Sequence, residues 1–254
     1  MKVEEHVDAL ERDGKRLIAV ARGSDLEVAV PPCPGWHLRD VVAHIGFVHL
    51  WAASYVSNGW TEMMPEDDEH EIVGSAPSVP ELVDWAEEAH TNLVSALRNA
   101  PADLRCWTFL PASSPLAFWA RRQAHETAVH RVDAELAANG VPGASEPAFA
   151  ADGIDELLFG FVARRRKRDE GPHIPWEGSI VLQASDMGRC WTVRLAGNLA
   201  EGLEGDQGGE LRVTAGAFDL YLLLWNRRNA DGLEVSGQAD LLDKWREAVR
   251  VRWS

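Results

Sequence analysis

Cysteine is scarce in this chain. The three present, Cys33, Cys106 and Cys190, are odd in number, far apart and without CxxC spacing, which argues against a disulfide framework and against a cysteine-based zinc site. Positive charge is also in short supply, with 25 basic residues against 40 acidic ones and a formal net charge of -15. A surface of that sign opposes nonspecific binding to nucleic acid or to an anionic membrane. Long apolar runs are missing as well. The opening MKVEEHVDALERDGKRLIAVA is charged and amphipathic rather than a signal peptide, and no later stretch reaches the length of a membrane span. Neither an internal repeat nor a low-complexity tract is present. These absences predict a soluble, cytoplasmic protein, monomeric or homodimeric, whose partners are small molecules rather than nucleic acid or membrane.

What is present suffices for a sizeable core, because 254 residues can bury one large domain or two smaller ones. Four segments of the first part have helical character: Val3 to Ala21, Leu38 to Val56, Val79 to Leu97 and Pro115 to Asn139. Val7, Leu10, Leu17 and Ile18 form one apolar stripe, and Leu82, Trp85, Ala89, Leu93 and Leu97 another, so these helices predict a bundle over residues 1–142. The acidic stretch TEMMPEDDEHEIVGSAPSVP between the second and third reads as a solvated crossover rather than a packed element. A Gly/Pro-rich break, NGVPGASEP, ends the fourth helix. Beyond it SIVLQA, CWTVRLAG and LRVTAG read as strands, while FDLYLLLWNRR and ADLLDKWREAVRVRW read as helices. Residues 150–254 therefore predict a second, small α+β domain, and the fold class as a whole is α+β.

The stretch FWARRQAHETAVHRVDAELAAN, from Phe118 to Asn139, sets Glu126 and His130 four residues apart. Side chains at that spacing share one helical face, as neighbouring ligands of a divalent ion must. Asp133 follows on the same face, where a carboxylate can orient a ligand imidazole. A helix face that carries Glu126, His130 and Asp133 beside Phe118, Trp119, Ala124, Val129 and Leu136 is expensive to bury without a cation. On the second helix Asp40, His44, Val48 and Trp51 share a face, so His44 projects with an apolar stripe. His44, Glu126 and His130 would leave a zinc-like ion one ligand short of tetrahedral, which separates catalytic from structural sites. His125 points about 140° away from His130 on an ideal helix, His49 is rotated off the His44 face, and His37 sits at the helix start. Each of these three has an ordinary packing or capping reading. Trp36, Trp51 and Trp119 lie near the candidate ligands in sequence and can wall an apolar pocket, with Trp51 read as core. The basic run ARRRKR from Ala163 to Arg168 stands alone in an acidic chain and reads as a solvated helix end.

Taken together, CPGWHLRDVVAHIGFVHLWA, FWARRQAHETAVHRVDAELA and the tail LYLLLWNRRNADGLEVSGQADLLDKW resemble the mycothiol-dependent maleylpyruvate isomerase family of actinobacteria, a branch of the DinB-like metal-dependent helical bundles. The resemblance covers both predicted domains in the same order. It implies a DinB-like four-helix bundle followed by a small α+β domain. It also implies zinc, or another divalent metal, on His44, Glu126 and His130, and a functionally important arginine matched best by Arg227, with Arg228 adjacent. The position after Trp36 is commonly Ser or Thr in the family and is His37 here, which weakens a helix cap but not the ligand set.

A metal with two imidazoles, one carboxylate and an open position deprotonates a bound thiol at neutral pH. The chain's own cysteines lie in no ligand motif, so the thiol must come from a small cosubstrate, and the resemblance implies mycothiol. The expected chemistry is S-transfer to, or thiol-assisted isomerisation of, a small electrophile, with Arg227 binding a substrate carboxylate. Arg121 and Arg122 are alternative anion-binding groups. Two other readings stay open at this level: a hydrolase that uses zinc-bound water, and a noncatalytic module that holds a metal or a thiol.

Overall fold

The computed structural model describes residues 1–164, 177–196 and 199–249. The chain divides into two compact units, Met1–Gly143 and Ala144–Ser254. The first holds five helices: α1 (Val3–Arg22), α2 (Leu38–Asn58), α3 (Glu66–Val73), α4 (Val79–Asn99) and α5 (Pro115–Asn139). Helices α1, α2, α4 and α5 form a bundle in which α1 packs on α5 and α4, and α2 packs on α4 and α5. Local chemistry sets their limits. At the start of α5, Ser114 Oγ accepts from Ala117 N at 3.1 Å and proline occupies the first turn, where its missing N–H costs nothing. Gly59 and Gly140 end α2 and α5 in the left-handed conformation, at φ 65° and 72°.

Apolar stripes on α1, α2 and α4 supply the core, with Leu10, Leu17, Leu38, Val41, Val42, Ile45, Ala86 and Leu93 all essentially inaccessible. Two close approaches depend on glycine. A Cβ on Gly46 of α2 would lie 2.0 Å from the Trp85 ring of α4, and a Cβ on Gly14 of α1 would lie 2.2 Å from the His90 ring of α4. Helix α5 is different, because every residue from Phe118 to Glu135 except Arg121 is buried despite its many polar residues. Its charged side chains are held by ion pairs. Arg131 donates to Glu135 Oε2 at 2.7 Å and to the Gly143 carbonyl at 2.5 Å, and its Nε faces Asp13 of α1 at 3.5 Å. Arg16 of α1 donates to the other Glu135 oxygen at 2.7 Å. This network ties α5 to α1 and fixes which face of α5 is left for α2.

The acidic connection differs from its sequence reading, since Glu66 to Val73 is helical. It is a helix without buried residues. Glu66, Asp67, Asp68 and Glu69 fill its first turn, where the helix dipole favours negative charge, so electrostatics rather than packing supports it.

In the second unit, α6 (Pro147–Asp155) runs on into a π-helical turn, Glu156–Val162, and is followed by β1 (Glu177–Ala184), β2 (Arg189–Ala196), β3 (Leu199–Glu204), β4 (Leu211–Ala215), α7 (Ala217–Leu224), β5 (Glu234–Gly237) and α8 (Asp240–Ala248). The sheet has the order β3-β2-β1-β4-β5, with β1 and β4 parallel and the other neighbours antiparallel. Asp155 anchors α6 to the sheet by accepting from both Arg189 Nη1 and Nη2, at 3.0 and 3.1 Å, and from Trp191 Nε1 at 2.7 Å. Strands β1, β2 and β4 and helices α7 and α8 coincide with the predicted runs, whereas β3, β5, α6 and its π turn carry no signal in the sequence reading. The basic run from Ala163 falls on residues 165–168 outside the described residues. Among the described residues no helix is long and apolar enough to cross a membrane.

Two buried histidines make the bundle sensitive to acid. His49 of α2 is inaccessible and its Nε2 lies 2.8 Å from Thr127 Oγ1 of α5, while His90 of α4 stands 5.2 Å away, ring centre to ring centre. Burial holds His49 well below the ordinary imidazole range, with His90 beside it acting in the same direction. Burial also lowers His90, against the opposing carbonyl and charge of Glu11. Both rings therefore fold neutral, and their contribution is full above the unfolded value of 6.5 and is lost as the pH falls through the lower folded values. We expect Tm to decline below pH about 6.5, and His90→Leu to make that decline shallower. Equal acid slopes for the two proteins, followed by circular dichroism, would refute the assignment.

Candidate metal centre

The site lies where α2 crosses α5. These helices run antiparallel at their contact: His44 meets Glu126 and His130, His49 meets Thr127, and Trp51 and Tyr55 meet Trp119. A tight loop precedes α2. Val30 N donates to Trp36 O at 2.9 Å, Trp36 N to Cys33 O at 2.9 Å and Cys33 N to Val30 O at 3.0 Å, a closure stiffened by Pro31, Pro32 and Pro34. The loop lays Trp36 over the site. Its ring stacks on His130 with centres 6.1 Å apart and an interplanar angle of 9°, and meets His44 edge-on at 5.4 Å.

Glu126 is the hub. Its Oε1 lies 3.0 Å from His44 Nε2 and 3.3 Å from His130 Nε2, and its Oε2 accepts from Arg122 Nη2 at 2.9 Å. Arg122, Glu126 and His130 recur every four residues on α5, so one helix supplies cation, carboxylate and imidazole in a row. Behind His130, Asp133 Oδ2 lies 2.9 Å from Nδ1. The same Asp133 oxygen accepts from Cys33 Sγ at 3.5 Å. Asp133 thus favours the His130 tautomer with hydrogen on Nδ1 and leaves Nε2 facing Glu126.

Two imidazole Nε2 atoms aimed at one carboxylate oxygen need something positive between them. Without a metal that something is a proton. Burial alone would lower His130, but its contacts with Asp133 and Glu126 outweigh burial and raise it to about 9. Burial likewise works against the Glu126 carboxylate, yet His130, His44 and Arg122 hold it well below the usual carboxylate range. His44 is the opposite case: burial, the dominant influence, lowers it in spite of its Glu126 contact. A divalent ion fits the same space. Ligand atoms about 2.0–2.1 Å from a tetrahedral ion lie roughly 3.3 Å from one another, close to the observed 3.0 and 3.3 Å. All three donor atoms lie within 4.8 Å of one another. The residues present therefore suit a zinc-like ion held by His44, Glu126 and His130.

Other sequence candidates fall elsewhere. His125 is buried and meets His6 of α1 edge-on, with ring centres 6.0 Å apart, and His37 stands at the start of α2, its N–H donating to Asp40 Oδ2 at 2.7 Å. Trp51 and Trp119 belong to an aromatic cluster with Tyr55, Trp107, Phe109 and Phe118, whereas Trp36 touches the candidate ligands. Of the two alternative anion-binding arginines, Arg122 is inaccessible with its guanidinium paired to Glu126, and Arg121 is half-buried. In the second unit Arg227 donates to the Trp225 carbonyl at 2.8 Å, whereas Arg228 pairs with Asp219 and reaches the carbonyls of Asn229 and Asp231. The contact of Cys33 with Asp133 was missed from the sequence. Its one signal was the proline-rich turn immediately before the ligand helix.

Metal must displace the His130 proton, so apparent affinity for zinc should rise by roughly tenfold per pH unit from neutrality and level off near pH 9. Asp133→Asn should weaken binding by roughly 10–100-fold and move the plateau to lower pH, because the amide supports the imidazolium less. Competition with a chromophoric chelator measures both, and a pH-independent affinity would contradict the geometry.

Comparison with known proteins follows the same outline. Residues 7–135 match the model of the mycothiol maleylpyruvate isomerase N-terminal domain, and residues 148–244 match that of the MDMPI C-terminal domain. No curated protein matches by sequence. Among solved structures, the crystal structure of the mycothiol-dependent maleylpyruvate isomerase superposes with a TM-score of 0.63 at 16% identity, covering 94% of this chain and 95% of that one. A crystal structure of a histidine-to-alanine mutant of that isomerase gives the same TM-score of 0.63 at 15% identity and the same coverage, 94% and 95%. At these identities the superpositions speak for the fold. With one family model over most of the bundle and the other over most of the second unit, the chain belongs to the mycothiol-dependent maleylpyruvate isomerase family, a family of enzymes.

Proposed function

We propose that this protein is a zinc-dependent enzyme that uses a small thiol, mycothiol, to isomerise or to S-conjugate a small electrophilic acid. The observation that carries this reading is the convergence of His44 Nε2 and His130 Nε2 on a single oxygen of Glu126, at 3.0 and 3.3 Å. Family membership supports the thiol-dependent isomerase class, and the electrophile is left to experiment. When bound, zinc in an open three-ligand site stabilises a coordinated sulfur as thiolate at neutral pH.

The protein's own groups do the rest. Asp133 sets the His130 tautomer through Nδ1, at 2.9 Å, so that the ring offers a lone pair rather than a proton at Nε2. Arg122 engages Glu126 Oε2 and leaves Oε1 as the coordinating oxygen. Trp36 lies flat over His130 and excludes water from one side, which strengthens electrostatic interactions beneath it. The role of Arg227 is part of the same proposal: a guanidinium binds a substrate carboxylate through two parallel N–H donors and spreads the charge that develops as thiolate adds.

Elemental analysis of the purified protein should find about one zinc per chain, with a site of this type losing the metal when one of its three ligands is removed. His44→Ala and His130→Ala should each lose the metal together with mycothiol-dependent turnover of maleylpyruvate or of a test electrophile. Arg227→Lys should keep the metal and raise KM for an acidic electrophile by roughly tenfold, because lysine lacks the bidentate fork. Full turnover by His130→Ala would overturn the proposal, and turnover of an ester or amide without thiol would replace it with the hydrolase reading.

A further inference from the structure

Gln123 sits one turn before Glu126 on α5 and is only 1% exposed, yet its Oε1 has no hydrogen-bond partner among the described residues. Its direction follows from the helix. At about 100° per residue, Trp119, Glu126, Thr127 and His130 fall within an arc about 100° wide, with Gln123 near its middle. Those four are the α5 residues that meet α2 through Tyr55, Trp51, His49 and His44. Along the helix axis Gln123 comes between Trp119, in the aromatic cluster, and Glu126, in the ligand trio. It is therefore a buried polar group on the α2-facing side of α5, between the apolar cluster and the candidate metal.

A buried amide oxygen without a donor costs stability, about 1–3 kcal/mol for groups of this kind. Such costs are retained where a ligand repays them. The remaining demand is for an N–H or O–H. An unsaturated acid, ionised at neutral pH, offers chiefly acceptors to a buried site, whereas mycothiol carries an amide N–H and hydroxyl groups close to its sulfur.

We propose that Gln123 Oε1 accepts a hydrogen bond from the amide or a hydroxyl of the thiol cosubstrate, making Gln123 a determinant of thiol specificity. The inference rests on the thiol-dependent reading given above. Its mark is an asymmetry: the residue is unfavourable in the empty protein and favourable in the complex.

Gln123→Met removes the acceptor while keeping the length of the side chain. In the full-length protein the variant should retain zinc and show an unchanged or higher Tm without ligand. Mycothiol, titrated calorimetrically into the zinc-loaded protein, should bind roughly tenfold more weakly, the factor for one lost hydrogen bond. KM for mycothiol should rise with kcat largely retained. 3-Mercaptopropionate, which has no donor besides its thiol when ionised, should bind both proteins alike. Equal mycothiol affinities would overturn the inference, as would a lowered Tm with both thiols weakened together, the signature of a purely structural amide. A wild-type protein that holds zinc but binds neither thiol, or holds no zinc, would overturn the thiol-dependent reading itself and this inference with it.

Discussion

The first unit is organised around one costly act, the burial of the Glu126 carboxylate. An ionised carboxylate removed from water without compensation costs several kcal/mol, and here the compensation comes from Arg122 on its own helix, His130 one turn further on and His44 across the interface. Removing any one of them leaves the others with an unbalanced charge. The register of α2 against α5 follows, because a shift by one residue would carry His44 off the face that meets Glu126. The Asp13, Arg131 and Glu135 network then tethers α5 to α1 and prevents α5 from rotating to relieve the strain of its polar face.

Much of this was legible before any coordinates. Glu126 and His130 are read from their four-residue spacing, His44 from its place on an apolar stripe, and the structure brings their side chains within hydrogen-bond distance. Arg121 and Arg122 read alike in the sequence, and it is the burial of Glu126 that separates them, because it gives Arg122 a carboxylate to neutralise. Cys33 was passed over. Its partner Asp133 lies one hundred residues away, and no local periodicity reports a contact of that range.

The elements lost to sequence reading share a feature. Helix α3 buries nothing, so no apolar period marks it, and its acidic first turn reads equally well as solvated coil. Strand β3, LAEGLE, lacks β-branched residues, and its Gly202 is required because a Cβ there would lie 2.7 Å from Leu158 Cβ. Strand β5 is four residues long and is specified by its pairing with β4 rather than by its own composition. Where a segment's stability comes from neighbours distant in sequence, composition is a poor witness.

Gly46 carries a consequence for how this bundle can change. It lies two residues after His44, and the space its missing side chain would occupy is filled by the Trp85 ring. Alanine, the smallest alternative, would have to displace that ring or push α4 and α2 apart. Because the helix that moves is the one bearing an imidazole of the trio, drift at a position remote from the chemistry is transmitted to it mechanically. The walls of the site therefore tolerate change more readily than the spacing of its backbones. A single hydrogen atom in place of a methyl group sets the gauge of the frame on which the chemistry hangs.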